Sequence, residues 1–360
     1  MSDESRSILQ IFKRFLKKLF VEKETGKSLE QNWNKNIQLI RGLAVTMVVI
    51  SHFARVSILG DYGVDLFFII SGYLITSILA SEYERSRTID VKSFLFRRFK
   101  RLVPAAYVAI LSILGLAYFD SLPGLFTDYL KLGFGYCLYI GNVFGLIPGS
   151  STTTALGLGH FWTLATEMQL YFLWSTVAIP VLLRAKNYFR IFIPVTFLLI
   201  VLPIIVYVTR HISQTIVQRS IEVTAMFTLG TIFYLINLHF DFKRRPLFAL
   251  LMSCLLALGP IKIISPFTDN KVIGIYFNIL LVGCAYQLIL KSRLASWTKP
   301  LVAVGDFSYS LYLIHWPIYL VAGGQDATLL ALSCGLIASI GLSILSYQKI
   351  EKYFWKPIQK

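Results

Sequence analysis

Residues 62–81 read YGVDLFFIISGYLITSILAS, twenty positions with a single charged side chain, Asp65. A helix of about 20 mainly apolar residues can cross the hydrocarbon core of a bilayer, where lipid offers no partner to an unpaired backbone group. Ten further stretches have similar length and character. They are 37–58, 102–120, 128–148, 162–183, 189–209, 220–239, 247–267, 272–291, 301–322 and 328–348. The sequence thus predicts an all-α, polytopic membrane protein.

Clusters of Lys and Arg between the apolar stretches limit how many of them can span. Cytoplasmic loops of membrane proteins collect these residues, and the clusters lie at 85–101, 184–190, 243–245, 291–299 and 349–360. If all are cytoplasmic, an even number of crossings separates neighbouring clusters, yet three apolar stretches lie between 101 and 184. We expect 128–148 not to span, because Lys131 and several glycines interrupt it. The prediction is about ten transmembrane helices in one bundle, with both termini cytoplasmic and an outward excursion or buried re-entrant segment over 121–160.

The same pattern divides the chain into three parts. Residues 1–36 form a cytoplasmic extension, 37–348 the transmembrane domain and 349–360 a basic cytoplasmic tail. Within the extension, 7–20 has apolar residues at helical spacing and four Lys and Arg on the opposite face. This predicted N-terminal amphipathic helix lies either on an anionic leaflet or against the cytoplasmic face of the bundle.

The composition agrees with this architecture. Apolar residues make up 56% of the 360 positions and charged residues 15%, whereas a soluble domain has about a quarter of its residues charged. Basic cytoplasmic loops explain the formal charge of +16, so we expect membrane lipids and no nucleic acid as partners. The four cysteines lie singly in apolar stretches, without CxxC spacing. We therefore expect neither a metal site nor a disulfide.

Ionisable groups inside spanning helices are costly and mark candidate functional sites. Arg41 and His52 lie eleven residues apart on the first helix, so they share a face and are about 16 Å apart along the axis. Glu167 is expected at a depth similar to that of His52. A carboxylate there can hydrogen-bond the imidazole and fix its tautomer, so we predict that His52 and Glu167 are catalytic. The alternative is a structural polar contact between helices.

A dense basic run, RRFKR, occupies 97–101 and leads into the third predicted helix. Arg98 and Arg101 are one helical turn apart. With Arg97 they predict a phosphate-binding fork at the cytoplasmic surface. Contact with lipid headgroups is the alternative.

Several polar or aromatic residues are candidates for substrate contact. They are Asp65, Ser71, Trp162, Tyr312 and His315. For Ser71, which precedes Gly72, close packing of helices is the alternative. For His315, which precedes Trp316, the alternative is an anchor at the membrane interface.

Five segments, in this order, resemble the membrane-bound acyltransferase family 3, a family of integral-membrane O-acyltransferases that modify bacterial surface sugars and some small molecules. The segments are Arg41-x10-His52, Phe67-Phe68-x-x-Ser71-Gly72, Arg98-x-x-Arg101 followed by Pro104, Phe161-Trp162…Glu167…Tyr171, and Gly305-x-x-Ser308-Tyr309-Ser310-Leu311-Tyr312-Leu313-x-His315. The resemblance covers nearly the whole chain, from about 35 to 355. It departs at Met168, where many relatives have a second acidic residue.

The resemblance implies a catalytic His52 and basic motifs that contact acyl-CoA, most commonly acetyl-CoA. It also implies a carbohydrate acceptor, at the cell surface or lipid-linked, and a location in the bacterial cytoplasmic membrane. We expect the CoA phosphates at Arg41 and the 97–101 run and the thioester near His52. There His52, oriented by Glu167, would deprotonate the attacking hydroxyl or would itself carry the acyl group transiently.

Two other functions fit a polytopic bundle with buried charges. One is a transporter that exports a lipid-linked or acylated saccharide, although the inverted repeats typical of many transporters are not detectable. The other is a non-catalytic scaffold, which would leave the predicted pair of His52 and Glu167 without a purpose.

Overall fold

A computed structural model describes residues 26–143, 157–180, 216–239 and 296–354, and these residues form helices and the turns between them. We number the nine longer helices in chain order. They are α1 Gly26–Phe53, α2 Ser57–Ser86, α3 Val91–Tyr118, α4 Phe126–Cys137, α5 Trp162–Leu173, α6 Ile216–His239, α7 Lys299–Asp306, α8 Ser308–Val321 and α9 Leu329–Ser346. A 3-10 turn, Gly159–Phe161, leads into α5, and π-helical turns follow α5 and α9 at Trp174–Ala178 and Tyr347–Glu351.

Four segments of the described chain are long and apolar enough to cross a bilayer. They are Lys35–Phe53, Leu59–Ser86, Val91–Tyr118 and Leu329–Phe354. A helical, polytopic membrane protein is thereby confirmed. The predicted amphipathic helix 7–20 and the predicted spans 189–209, 247–267 and 272–291 lie outside the described residues. The count of ten helices and the orientation of the termini stay predictions.

The third helix begins eleven residues before its predicted start at 102. Asp90 caps it: its carboxylate accepts the backbone N–H of Ser93 at 3.0 Å and the Ser93 hydroxyl at 2.6 Å, which satisfies a donor left free in the first turn. These hydrogen bonds from Ser93 lower the pKa of the Asp90 carboxyl. The basic run 97–101 therefore lies within α3, and Pro104 lies inside the helix rather than at its start.

The predicted span 301–322 is broken into α7 and α8 at Phe307. At the break the Ser308 hydroxyl donates to the carbonyl of Gly305 at 2.8 Å. The carboxylate of Glu351 accepts both the backbone N–H of Ser310, at 3.1 Å, and its hydroxyl. Glu351 thus caps the start of α8 from the far end of the chain, in the way that a local N-cap residue would. The last helix correspondingly continues through its π-helical turn to Phe354, beyond its predicted end at 348.

We expect Glu351→Ala to lower the free energy of unfolding by about 1 kcal/mol, since a buried N–H of the first turn of α8 loses its acceptor. Thermal unfolding of the purified protein in detergent measures this. Glu351→Gln is the matched control, because its amide oxygen can still accept, and it should lose less. Equal stability of Glu351→Ala and the wild type would contradict the cap.

Glycines allow close approaches between pairs of helices. A Cβ on Gly72 of α2 would overlap the carbonyl oxygen of Phe227 of α6, and one on Gly230 of α6 would overlap that of Ile69 of α2. Likewise, a Cβ on Gly42 of α1 would overlap a backbone carbonyl of α7, and one on Gly305 of α7 would overlap a backbone carbonyl of α1. Small residues allow this close approach of backbones in a membrane. The crossings hold α6 and α7 against α2 and α1, respectively.

Gly72→Ala is expected to destabilise the fold by about 1–3 kcal/mol, because overpacking at a rigid backbone contact forces the two helices apart. Gly115→Ala in α3 is the control, since no atom of the described residues lies within 4 Å of a Cβ at that position. Size-exclusion profiles and thermal unfolding in detergent should separate the two variants. The packing account fails if both are equally stable.

The described part of 128–148 does not span. Helix α4 has 12 residues, about 18 Å in length and too short to cross the bilayer. Tyr129 and Tyr136 of α4 are buried. Side chains of neighbouring helices satisfy carbonyls at and just after the end of α4: the Tyr107 hydroxyl donates to the carbonyl of Cys137 and the Gln169 amide to that of Tyr139, both at 2.8 Å. One face of α4 is therefore packed in protein, while Leu130 and Phe134 on another face are exposed. The short helix agrees with the prediction that this segment does not span.

Candidate active site

A cavity of about 90 Å³ lies between α1, α2, α3, α5 and α8. Apolar side chains such as Phe67 and Leu102 form much of its wall. Its charged and polar lining consists of Arg41, Ser71, Arg98, Arg101, Thr163, Glu167, Tyr171, Ser308, Tyr309 and Tyr312. An apolar pocket with a few convergent polar groups is the usual form of a ligand site.

Three guanidinium groups converge at this cavity. Arg41 comes from α1, and Arg98 and Arg101, one turn apart, come from α3. The guanidinium carbon of Arg98 lies 5.6 Å from the ring centroid of Phe94 and 6.0 Å from that of Tyr171, so aromatic faces hold it in place. Three cations repel one another in a partly apolar site, which favours the binding of an anion between them.

Arg97 does not belong to this group. Its side chain is 58% exposed and lies 3.4 Å from the carboxylate of Glu82. One residue along a helix turns by about 100°, which directs Arg97 and Arg98 to different faces of α3. Of the arginines predicted to bind phosphate, Arg41, Arg98 and Arg101 thus remain at the cavity.

Glu167 is anchored within the cavity by two hydroxyl groups. Ser71 Oγ donates to its Oε1 at 2.8 Å, and the Tyr171 hydroxyl donates to the same oxygen. Glu167 is also close enough to Arg41 and Arg98 to interact with both electrostatically. The neighbouring residues of the Ser71-Gly72 pair thus have different roles, since Ser71 lines the cavity and Gly72 makes the close helix crossing.

His52 and Glu167 do not form the predicted pair. No hydrogen bond or ion pair joins them in the described structure. The donors to Glu167 are instead Ser71 of α2 and Tyr171, one turn further along α5. Glu167 lines the same cavity as Arg41, whereas His52 is three turns further along α1, about 16 Å away along the axis. An equal depth of the two residues in the membrane stays a prediction. A catalytic role for each residue stays a prediction.

The imidazole of His52 lies in a second cluster, which we call the histidine cluster. It comprises His52, His160, His315, Trp316 and Tyr319. The His52 ring centroid lies 4.5 Å from Trp316, 5.4 Å from His315 and 5.7 Å from Tyr319. His315 is fully buried and 5.8 Å from His160, centroid to centroid.

His160 was not predicted as a site residue. It belongs to the 3-10 turn before α5, and its Nε2 lies 3.0 Å from the carbonyl oxygen of Leu313. The sequence held one signal for it, because His160 directly precedes Phe161-Trp162, a segment already singled out. Nothing in the spacing, however, relates it to His315, more than 150 positions later.

Tyr312 connects the cavity to the histidine cluster. Its hydroxyl lies 2.7 Å from Thr163 Oγ1 and 3.2 Å from the carbonyl oxygen of His160. Tyr312 and Thr163 both line the cavity, and the Tyr312 ring is 5.6 Å from that of His315. A continuous set of side chains therefore leads from the arginines through Tyr312 to the imidazoles.

Two predicted substrate contacts lie elsewhere. Asp65 is buried, with a carboxylate oxygen 3.9 Å from the guanidinium of Arg219 on α6. Trp162 is half-buried against the core and does not line the cavity. Within the described residues, no group of three or more His, Cys, Asp and Glu is arranged to hold a metal ion.

The family model of an acyltransferase domain, acyltransferase 3, matches residues 34–348 of the chain. The protein belongs to the acyltransferase 3 family. The match covers both the cavity and the histidine cluster, and it ends three residues before Glu351, the cap of α8.

Curated relatives of this acyltransferase 3 protein act on hydroxyl groups, according to their names. A peptidoglycan O-acetyltransferase, OatA, of Listeria monocytogenes serovar 1/2a is 27% identical over 308 residues, which are 79% of this chain and 49% of the relative. An O-acetyltransferase, OatA, of Staphylococcus aureus strain NCTC 8325 is 28% identical over 306 residues, 78% of this chain and 49% of the relative. The chain therefore spans about half the length of these relatives. No solved structure matches the chain.

Proposed function

We propose that this protein transfers an acetyl group from acetyl-CoA to a hydroxyl of a cell-envelope carbohydrate, within the membrane. The observation that carries the proposal is the cavity, in which three arginines from two helices converge and from which Tyr312 leads to a cluster of imidazoles. The three arginines suit the binding of a polyanion, and the imidazoles suit proton transfer. The names of the relatives support acetyl as the acyl group and a peptidoglycan-like glycan as the acceptor.

The phosphates of acetyl-CoA fit the arginine end. Guanidinium groups bind phosphate oxygens through paired, charge-assisted hydrogen bonds, and Arg41, Arg98 and Arg101 present three such groups at one cavity. The apolar wall suits the less polar pantetheine arm, which would run toward Tyr312. Because CoA is made in the cytoplasm, this assignment puts the arginines at the cytoplasmic side and agrees with cytoplasmic termini in a bacterial inner membrane.

His52 is the proposed base. In the described structure neither ring nitrogen of His52 has a hydrogen-bond partner, so a lone pair is available to a substrate. The acceptor oxygen attacks the thioester carbonyl, its proton passes to His52, the new C–O bond forms, and the C–S bond breaks to release CoA, which takes up the proton as a thiol. In the competing route, His52 itself attacks and transfers the acetyl group in a second step.

Glu167 takes a different role from the one that the sequence predicted. Held by Ser71 and Tyr171, its carboxylate partly balances the charge of Arg41 and Arg98 before CoA binds, and it fixes the geometry of the cavity. It is therefore proposed as a positioning residue for the donor site rather than as the partner of His52.

The test supplies acetyl-CoA, labelled in the acetyl group, to inverted membrane vesicles from cells that contain or lack the protein. We expect label in the envelope glycan that is released by mild hydroxylamine, which cleaves esters and leaves N-acetyl amides intact. This label should appear only when the protein is present. A transporter of saccharides would move no label, and that result would overturn the proposal.

A further inference from the structure

Three polar atoms in the histidine cluster are buried and have no hydrogen bond within the described part of the chain: Nδ1 of His160, Nε2 of His315 and the hydroxyl oxygen of Tyr319. The last two belong to rings that lie directly against the ring of His52. The two residues are 0% and 2% exposed, respectively. A buried donor or acceptor without a partner is costly and uncommon in a native protein. Their occurrence together, beside His52, indicates a site that is completed by a ligand.

The hydrogen-bond polarity of this site follows from the backbone. Nδ1 of His315 lies 2.8 Å from the carbonyl oxygen of Tyr312 and 3.1 Å from that of Leu311. Carbonyl oxygens only accept, so Nδ1 carries the hydrogen and the neutral ring presents a lone pair at Nε2. The Tyr319 hydroxyl can donate. These two atoms therefore offer one acceptor and one donor to a ligand group.

Aromatic rings surround the two atoms. Trp316 and Tyr319 stack with their ring planes 28° apart and their centroids at 5.5 Å, and both rings lie within 6 Å of His52. Flat aromatic faces suit the C–H faces of a pyranose. A few placed polar groups among aromatic side chains are typical of a site for a small ligand.

We propose that His315 and Tyr319 form the binding site for the acceptor saccharide. Both residues bind a group of the sugar that does not itself react, either a hydroxyl or an N-acetyl amide. Nε2 of His315 accepts a hydrogen bond from this group, and the Tyr319 hydroxyl donates one to it. This contact turns the reacting hydroxyl toward His52. The inference rests on the proposed function and adds to it the residues that select and position the acceptor.

Tyr319→Phe is the discriminating variant. It removes one hydroxyl that has no partner among the described residues, so the fold should be kept and any loss should come from the ligand. We expect saccharide binding to weaken about tenfold, because one hydrogen bond is lost and the polar group of the sugar that accepted it is left unpaired. Tyr139→Phe is the matched control, since it removes another buried hydroxyl without a partner that lies outside the histidine cluster.

Two measurements on the purified protein in detergent keep this inference separate from the proposed function. The first is a titration with muramidase fragments of peptidoglycan, without acetyl-CoA, followed by tryptophan fluorescence. The second is the KM for the same fragments and for acetyl-CoA. We expect Tyr319→Phe to raise the Kd and KM for the fragments and to leave the KM for acetyl-CoA unchanged.

Each possible outcome decides one of the two proposals. No binding by the wild type, or equal binding by Tyr319→Phe, overturns the acceptor site, as does an equal loss in Tyr139→Phe. If Tyr319→Phe binds the fragments more weakly but neither the wild type nor any variant transfers acetyl, the saccharide site is supported and the proposed acetyl transfer is overturned.

Discussion

His52→Ala is expected to lower acetyl transfer by about a thousandfold, because a positioned general base typically contributes about 10²–10⁴-fold and a nucleophilic imidazole would be lost entirely. Binding of CoA should be unchanged, since His52 does not line the cavity and Arg41 lies about three turns away from it along α1. Transfer is measured with labelled acetyl-CoA and glycan fragments, and binding by titration with CoA.

His211→Ala is the control for His52→Ala, because His211 lies between the predicted spans 189–209 and 220–239, outside both of them. It should retain activity. Retained turnover in His52→Ala would remove this residue from the chemistry. Loss of CoA binding in the same variant would instead indicate a structural role for the histidine.

The double variant Arg98→Ala/Arg101→Ala should weaken CoA binding by about a hundredfold or more. Each arginine can make charge-assisted hydrogen bonds to phosphate, and losing one such bond costs about 1.5–3 kcal/mol. Because phosphate contacts are electrostatic, the remaining affinity should also depend less on salt concentration. The Kd for CoA at two ionic strengths measures both effects.

Arg97→Ala is a close control for this double variant. Arg97 is next to Arg98 in the chain, but it is exposed and paired with Glu82, so its removal should change the Kd little. Unchanged affinity in the double variant, or an equal loss in Arg97→Ala, would favour contact with lipid headgroups instead.

The sequence predicted the helical membrane architecture well, because the length of an apolar stretch is imposed by the bilayer. It predicted helix ends less well. Asp90 and Glu351 set the boundaries of α3 and α8 through capping hydrogen bonds. The cap from Glu351 joins residues 41 positions apart, which no local pattern indicates.

In the candidate site, too, some features were predicted correctly from the sequence and others were not. Residues on one helix were related correctly, as for Arg98 and Arg101, since helical spacing determines which side chains share a face. Contacts between residues on different helices were not predicted correctly, since the described structure contains no hydrogen bond between His52 and Glu167. The depth of a residue in the membrane was inferred from its distance to a predicted helix end, and an error of one or two turns is enough to separate a pair by about 5–11 Å.

Acetyl transfer by purified protein tests the account most directly. The protein in liposomes is supplied with labelled acetyl-CoA and muramidase fragments of peptidoglycan, and ester-linked label on the fragments is measured for the wild type and for His52→Ala. The account predicts hydroxylamine-labile label with the wild type and almost none with His52→Ala. Absence of label with the wild type, or equal label with both, would contradict it.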